Sequence, residues 1–263
     1  MPTPLQEVSS RTCSMESKEA KLKICVGVPI IDSVPGESVG SLMGIVGEIA
    51  RDKRISSVAV MTVLNMFPHD RPRNVIIDSA VAAGADLLMF VDADQTIPPN
   101  GFRSMMDVLE NPPNGDGTVG LVTGFYYRRG FPYTTSWSQT AVRDGKLQKL
   151  YCEAHPSMDC VEITSCGMGC ALIDLRFVRE RLTKPFFGMR IVDGNVEEWE
   201  DSWFCNKITS AGGRIIGVPS VRCGHVDTRI MIDDSSVESI RRTEMLEQQQ
   251  QRVFQNLRQE GSF

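Results

Sequence analysis

Asp86-Leu87-Leu88-Met89-Phe90-Val91-Asp92-Ala93-Asp94-Gln95-Thr96-Ile97-Pro98-Pro99 is the stretch that decides the fold. An unbroken apolar run follows Gly84 and ends on two acids and a Pro-Pro turn. It reads as a strand buried on both faces, as in a parallel sheet covered by helices. Asp92 and Asp94 then stand at the carboxyl end of that strand, the edge at which open α/β sheets bind ligands.

The flanking segments repeat the rhythm. Ile24 to Ile31 is a β-branched first strand; Val39, Leu42, Met43, Val46 and Ile49 follow at helical spacing. Ser57–Val63 reads as a strand, Arg73–Ala83 as a helix stopped by Gly84, Gly101–Leu109 as a helix and Val119–Thr123 as a strand. Asp144-Gly145 signals a hairpin within a less regular region, about 125 to 165. Gly167-Met168-Gly169 opens a strand ending near Asp174, then Leu175–Leu182 and Ser202–Ala211 read as helices and Arg214–Val218 as a strand. Strands alternating with helices predict an α/β fold with a mostly parallel sheet flanked by helices. The expected organisation is a polar arm over 1–21, one domain over 22–230 and a polar helix over 231–263.

The 263 residues suit one large α/β domain, and 41% hydrophobic with 23% charged residues is ordinary for a globular protein. The longest apolar runs fall far short of the ~20 residues that cross a bilayer, so no membrane span is expected. A net charge of −5 argues against nucleic-acid binding through overall positive charge. Eight cysteines without a CxxC pair read as free thiols. With no apolar leader visible, the expected location is the cytoplasm. A zinc cluster of Cys152, His155, Cys160 and Cys166 fits no standard spacing.

The chemistry concentrates at a few places. A lone D-x-D usually caps a turn or faces water. Beyond a buried strand end, Asp92 and Asp94 would repel one another, which favours an oxygen-liganded cation, Mg²⁺ or Mn²⁺, of the sort that bridges to phosphates. Glu197-Glu198-Trp199-Glu200-Asp201 precedes a helix, and its four carboxylates exceed what capping needs. One could act as a general base, with Trp199 as an apolar wall against a ring-shaped acceptor. His225, in Cys223-Gly224-His225-Val226, is a candidate nitrogen ligand. Arg71 and Arg73 open a helix and could contact a nucleotide. Gly167-Met168-Gly169 would let backbone approach a bulky ligand.

In combination and in order, these elements resemble the GT-A class of nucleotide-sugar-dependent glycosyltransferases, especially family-2-like enzymes. They are Val28-Pro29, Arg73-Asn74, Ala83-Gly84-Ala85-Asp86, Phe90-Val91-Asp92-Ala93-Asp94, Gly167 to Ile173, Trp199-Glu200-Asp201, Ala211-Gly212-Gly213-Arg214 and Gly224-His225. The resemblance covers about 24 to 226 and implies a nucleotide-binding half of about 22–125 and an acceptor-binding half of about 126–230; without the membrane helices of many polymerising relatives, a soluble enzyme is expected. It would move a sugar from a nucleoside diphosphate sugar, a uridine diphosphate sugar first among them, to an acceptor hydroxyl. It implies that Asp94, with Asp92 and His225, holds Mn²⁺ or Mg²⁺ against the donor diphosphate, Asp92 alternatively binding the ribose. Pro29, Asn65 and Arg73 would line the nucleotide pocket, Gly167, Met168 and Gly169 would border the donor sugar, and Trp199 would flank it. Asp201 matches the catalytic base of inverting relatives, and Glu200 would touch a sugar; inversion and retention both stay open. No Q-x-x-R-W motif is present, so a single transfer fits better than polymerisation.

Two other classes compete. A nucleotidyltransferase would carry a basic glycine-rich loop after the first strand, where Asp32-Ser33-Val34-Pro35-Gly36-Glu37 stands; a non-catalytic nucleotide-sugar-binding module would not need Asp201. The acceptor is open among glycan, small molecule and a hydroxylated DNA base of the phage type. For DNA, the basic face would be Arg128-Arg129, Arg176, Arg179, Arg181, Lys184, Arg241 and Arg242. The terminal helix could cover the site, contact acceptor or join a homo-oligomer, or pack back on the core through Ile240, Leu246, Val253 and Leu257.

Overall fold

The computed structural model describes residues 20–245 apart from 114, 116, 131, 144–145, 228–230, 236, 239–240 and 242–244. The expected arm and most of the expected terminal helix lie outside the described residues.

The first half runs β1 (Leu22–Ile30), α1 (Gly36–Arg51), β2 (Ile55–Leu64), α2 (Asp70–Ala82), β3 (Leu87–Val91), β4 (Gln95–Thr96), α3 (Gly101–Glu110) and β5 (Val119–Phe125). The antiparallel hairpin of β6 (Ser138–Arg143) and β7 (Lys146–Tyr151) follows, pairing Arg143 with Lys146 around the expected turn. Then come β8 (Val161–Ile163), β9 (Cys170–Asp174), α4 (Leu175–Arg181), β10 (Arg190–Val192), β11 (Asn195–Glu198), α5 (Glu200–Ser210), β12 (Arg214–Arg222), β13 (Gly224–Val226) and β14 (Met231–Ile232).

Seven strands form the main sheet in the order β2-β1-β3-β9-β5-β12-β8. All five residues of β3 are buried because helices cover both faces. Leu88 and Phe90 pack with α2, α4 and α5, whereas Leu87, Met89 and Val91 pack with α1 and α3. The sheet is mostly parallel, as expected, but β9 and β8 run antiparallel to their neighbours. Alternation of strands and helices could not reveal that reversal, because the hairpin region between β5 and β9 breaks the βαβ rhythm. α1 also differs in detail from its sequence pattern: Ser38, Ile45 and Ile49 form its buried face, and Val39 and Met43 of the expected stripe are exposed.

Small residues set two close approaches. A Cβ on Gly217 of β12 would stand 2.7 Å from the fully buried Trp137 ring, whose Nε1–H donates to the Gly124 carbonyl at 3.0 Å. Gly84 ends α2 with a φ of +70°, the left-handed region that favours glycine after a helix.

Candidate functional site

The carboxyl ends of β1 and β3 open into a cleft of about 510 Å³, closed on its other sides by residues 167–168, the start of α5 and β13. Its position follows from strand order: β3 delivers Asp92 to Asp94, and the antiparallel β9 brings residues 167–169 to the same edge, where Asp92 N–H donates to the Gly169 carbonyl at 3.1 Å. β13 pairs with β4, and Val226 N–H donates to the Asp94 carbonyl at 2.7 Å, which fixes His225 beside the acidic turn.

Nine of the residues singled out from sequence line this cleft: Pro29, Arg73, Asp92, Asp94, Gly167, Met168, Glu200, Asp201 and His225. Three do not. Asn65 ends β2 in a left-handed turn (φ +51°), its N–H donating to the Ile30 carbonyl. Gly169 N–H donates to the Tyr126 hydroxyl at 3.0 Å, and a Cβ there would meet Gln95 Cγ at 2.9 Å, so the glycine serves strand packing behind the cleft. Trp199 is half exposed at the start of α5. Met168 both lines the cleft and packs in the core.

Arg73 is the organising cation. It is buried on α2, donates from Nη2 to both Asp92 oxygens at 3.0 and 3.2 Å, and sets Nε 3.4 Å from Glu200 Oε1. Its guanidinium lies 5.3 Å from the Phe90 ring centre. Burial works to lower its pKa, but Asp92 and Glu200 hold it above the ordinary arginine value. Glu200 is pushed the other way for a carboxyl: burial raises its pKa, Arg73 opposes this, and Asp201 adds to the rise. Asn74, beside Arg73, is structural, accepting the N–H groups of Phe186 and Phe187.

Asp94 and His225 form a second centre. His225 Nδ1 lies 2.9 Å from the Tyr127 carbonyl, an acceptor only, so Nδ1 carries a proton and Nε2 faces Asp94 Oδ1 at 3.4 Å. A ring nitrogen oriented by a backbone carbonyl is the usual arrangement of a metal-binding histidine. An octahedral ion with bonds of ~2.1 Å sets adjacent ligands ~3.0 Å apart, so small shifts would let one ion bridge the pair. The other Asp94 oxygen lies 3.1 Å from Arg129 Nη2. Burial pushes the Asp94 pKa up, but the His225 hydrogen bond and charge, with Arg129, outweigh it and leave the pKa low. Among the described residues no three His, Cys, Asp or Glu side chains already stand as a metal site. Asp92, turned to Arg73, is not part of the Asp94–His225 pair, and Cys152, His155, Cys160 and Cys166 form no cluster. The described cysteines are free thiols.

Asp201 occupies the first turn of α5, with Oδ1 accepting the Ser202 N–H at 2.6 Å. A Cβ on Gly167 would lie 3.8 Å from its Oδ2 and 2.2 Å from the Tyr126 hydroxyl, so glycine keeps this corner of the cleft open. Among the cleft residues that sequence reasoning did not assign to the site are His69, Tyr126, Arg129 and Asp227. Only Arg129 carried a signal, as a member of an Arg-Arg pair.

Most of the basic residues considered for a DNA-facing surface have local partners. Arg176 pairs with Asp174 at 2.7 Å, Lys184 with Asp78 at 2.7 Å and Arg241 with Glu153 at 2.8 Å. Arg179 donates to the Ala85 carbonyl at 2.6 Å and Arg128 to the Tyr151 hydroxyl at 2.9 Å. Arg242 lies outside the described residues. No described helix is long and apolar enough to cross a membrane.

No protein-family model matches the chain, and no curated protein matches it in sequence. Solved structures do share its fold. The structure of A197 from STIV is 16% identical and superposes with a TM-score of 0.54 over 81% of this chain and 91% of that one. The structure of GalNAc-T7 with UDP, GalNAc and Mn²⁺ is 14% identical, with a TM-score of 0.53 over 79% of this chain and 43% of that one, so this chain spans less than half of its length. At these identities the likeness is one of fold, and that fold is GT-A-like.

Proposed function

We propose that the protein is a metal-dependent glycosyltransferase that moves a sugar from a nucleoside diphosphate sugar, first a uridine diphosphate sugar, to an acceptor hydroxyl. One observation carries this reading: Asp94 and His225, Arg73 with Asp92 and Glu200, and Asp201 converge on one cleft at the carboxyl edge of a GT-A-like sheet. The shared fold with GalNAc-T7, whose structure holds UDP and Mn²⁺, supports it.

Cleft charge supports a cation requirement. Asp32, Asp92, Asp94, Glu200, Asp201 and Asp227 stand against Arg73 and Arg129. A diphosphate adds more negative charge, which such a cleft would repel without a divalent ion. Asp94 and His225 would hold Mn²⁺ or Mg²⁺, which would supply charge neutralisation for the leaving diphosphate. Pro29 and Asp92 would border the nucleoside, Arg73 holding the Asp92 carboxylate in place. Asp201 takes the proton from the acceptor hydroxyl as the hydroxyl oxygen attacks the anomeric carbon, giving inversion. Glu200, neutralised by Arg73, would position a sugar hydroxyl. The acidic cleft and the paired arginines favour a glycan or small-molecule acceptor over DNA.

The test is a thermal-shift screen of uridine- and guanosine-diphosphate sugars with Mn²⁺. A ligand at a hundredfold over its Kd stabilises by about 2.7 kcal/mol, which for a chain of this size raises Tm by roughly 5–11 °C. No shift with any such donor in the presence of Mn²⁺ would remove the reading.

A further inference from the structure

β2 forms one edge of the main sheet, and among the described residues β1 is its one strand neighbour. Its ten residues, Ile-Ser-Ser-Val-Ala-Val-Met-Thr-Val-Leu, contain no charge and no proline, and from Ser57 to Leu64 their register against β1 is unbroken. Edge strands that stay unpaired are ordinarily short, bulged or guarded by lysine or proline; β2 is long and holds neither lysine nor proline, and its register shift against β1 is confined to its start, at Ser56.

The surface beside this edge is apolar as well. Val58 packs with the α1-side core, so Val60 and Leu64, two and six residues on, point to the same face, yet they are 49% and 63% exposed. On α1, Ser41 and Glu48 reach toward α3, bonding to Ile97 and the Arg103 N–H. Ile45 and Ile49 point down to the sheet. At ~100° per residue, Val39, Met43 and Val46 fall on the flank opposite Ser41 and Glu48, toward the β2 edge. Val39 is 41% and Met43 72% exposed.

We propose that this edge pairs with the same edge of a second copy. The two β2 strands would run antiparallel about a two-fold axis perpendicular to the sheet, joining two seven-stranded sheets into one and stacking α1 against its counterpart. A second copy is the occupant that the surface fits. An antiparallel edge is self-complementary, and an uncharged strand meets no like-charge repulsion on pairing with itself. A perpendicular two-fold also puts both α1 helices on one face, so the exposed flanks meet each other. Ten residues at ~3.4 Å each, across a sheet and one helix layer ~20 Å deep, cover ~700 Å² per copy, close to the ~800 Å² of a standard interface. The clefts would open at opposite ends of the joined sheet, each remaining accessible.

The test is sedimentation equilibrium of the full chain from about 1 to 100 μM, with hydrogen exchange of the β2 amides. The expected mass is twice the 29.2 kDa of the chain, with β2 protection that grows with concentration. Val60→Lys combined with Leu64→Lys should raise the dimer dissociation constant at least about tenfold, with an unchanged circular-dichroism melt of the monomer. Met43→Lys on α1 should act in the same direction and stands in if the strand variant does not fold. A monomer at every concentration overturns the proposal, including a monomer whose β2 amides are protected by another part of its own chain. So does a dimer that survives these substitutions.

Discussion

Replacing Arg73 by methionine tests how the cleft is held together. Methionine keeps much of the side-chain volume over Phe90 but leaves two carboxylates without their cation. Removing one partner of a buried ion pair costs about 3–5 kcal/mol. Here Asp92 keeps a side-chain exposure of 28% and can rehydrate, whereas Glu200 keeps 9% and cannot. The loss should therefore sit near the lower end, about 3 kcal/mol at pH 8. Its pH dependence has a definite sign. Burial already raises the Glu200 pKa against the opposing pull of Arg73, and without Arg73 it rises further. A group with a raised folded pKa contributes stability below its unfolded value, about 4.3 for glutamate, and loses it as pH rises through the folded value. The deficit should thus be larger at pH 8 than at pH 5. Urea unfolding of the variant and the parent at both pH values measures it. Adding Glu200→Gln should restore part of the stability at pH 8, because the orphaned charge is gone. A deficit below about 1 kcal/mol at pH 8, a deficit equal at the two pH values, or strict additivity in the double variant would refute the buried-pair account.

Three further outcomes are expected. Asp201→Asn should keep nucleotide-sugar affinity by calorimetry while turnover falls at least about a hundredfold; near-normal transfer would remove Asp201 as the base. Asp94→Ala and His225→Ala should each abolish the Mn²⁺-dependent part of nucleoside diphosphate binding, read by calorimetry with and without the ion, and metal-independent binding by the parent would contradict this. Gly217→Ala should cost about 1–3 kcal/mol by driving a Cβ into Trp137, and a melting temperature within a degree of the parent would show that the sheet yields there.

Residues whose neighbours in sequence are also their neighbours in function were legible before the structure. Leu87 to Asp94 declared both a buried strand and an acidic edge because burial on two faces leaves an unbroken apolar run. Glu200 and Asp201 were visible because acids crowd the first turn of a helix. The Arg73–Glu200 contact spans 127 residues, and nothing local marks either side chain as the other's counterion. Asn65 does not line the cleft: a polar residue at a strand end looks like a pocket residue, but here its left-handed backbone turns the chain. The antiparallel β9 was hidden because four apolar residues ahead of Asp174 carry no direction.

β9 also constrains how the protein can be made. It fills the centre of the sheet between β3 and β5, pairing with both. A nascent chain that has emerged only to about residue 165 therefore holds two buried, mainly apolar strands with no partner between them, and β1 to β5 cannot close into a finished sheet. A fragment cut at that point should aggregate, and synthesis must run past Asp174 before the middle of the molecule can be sealed.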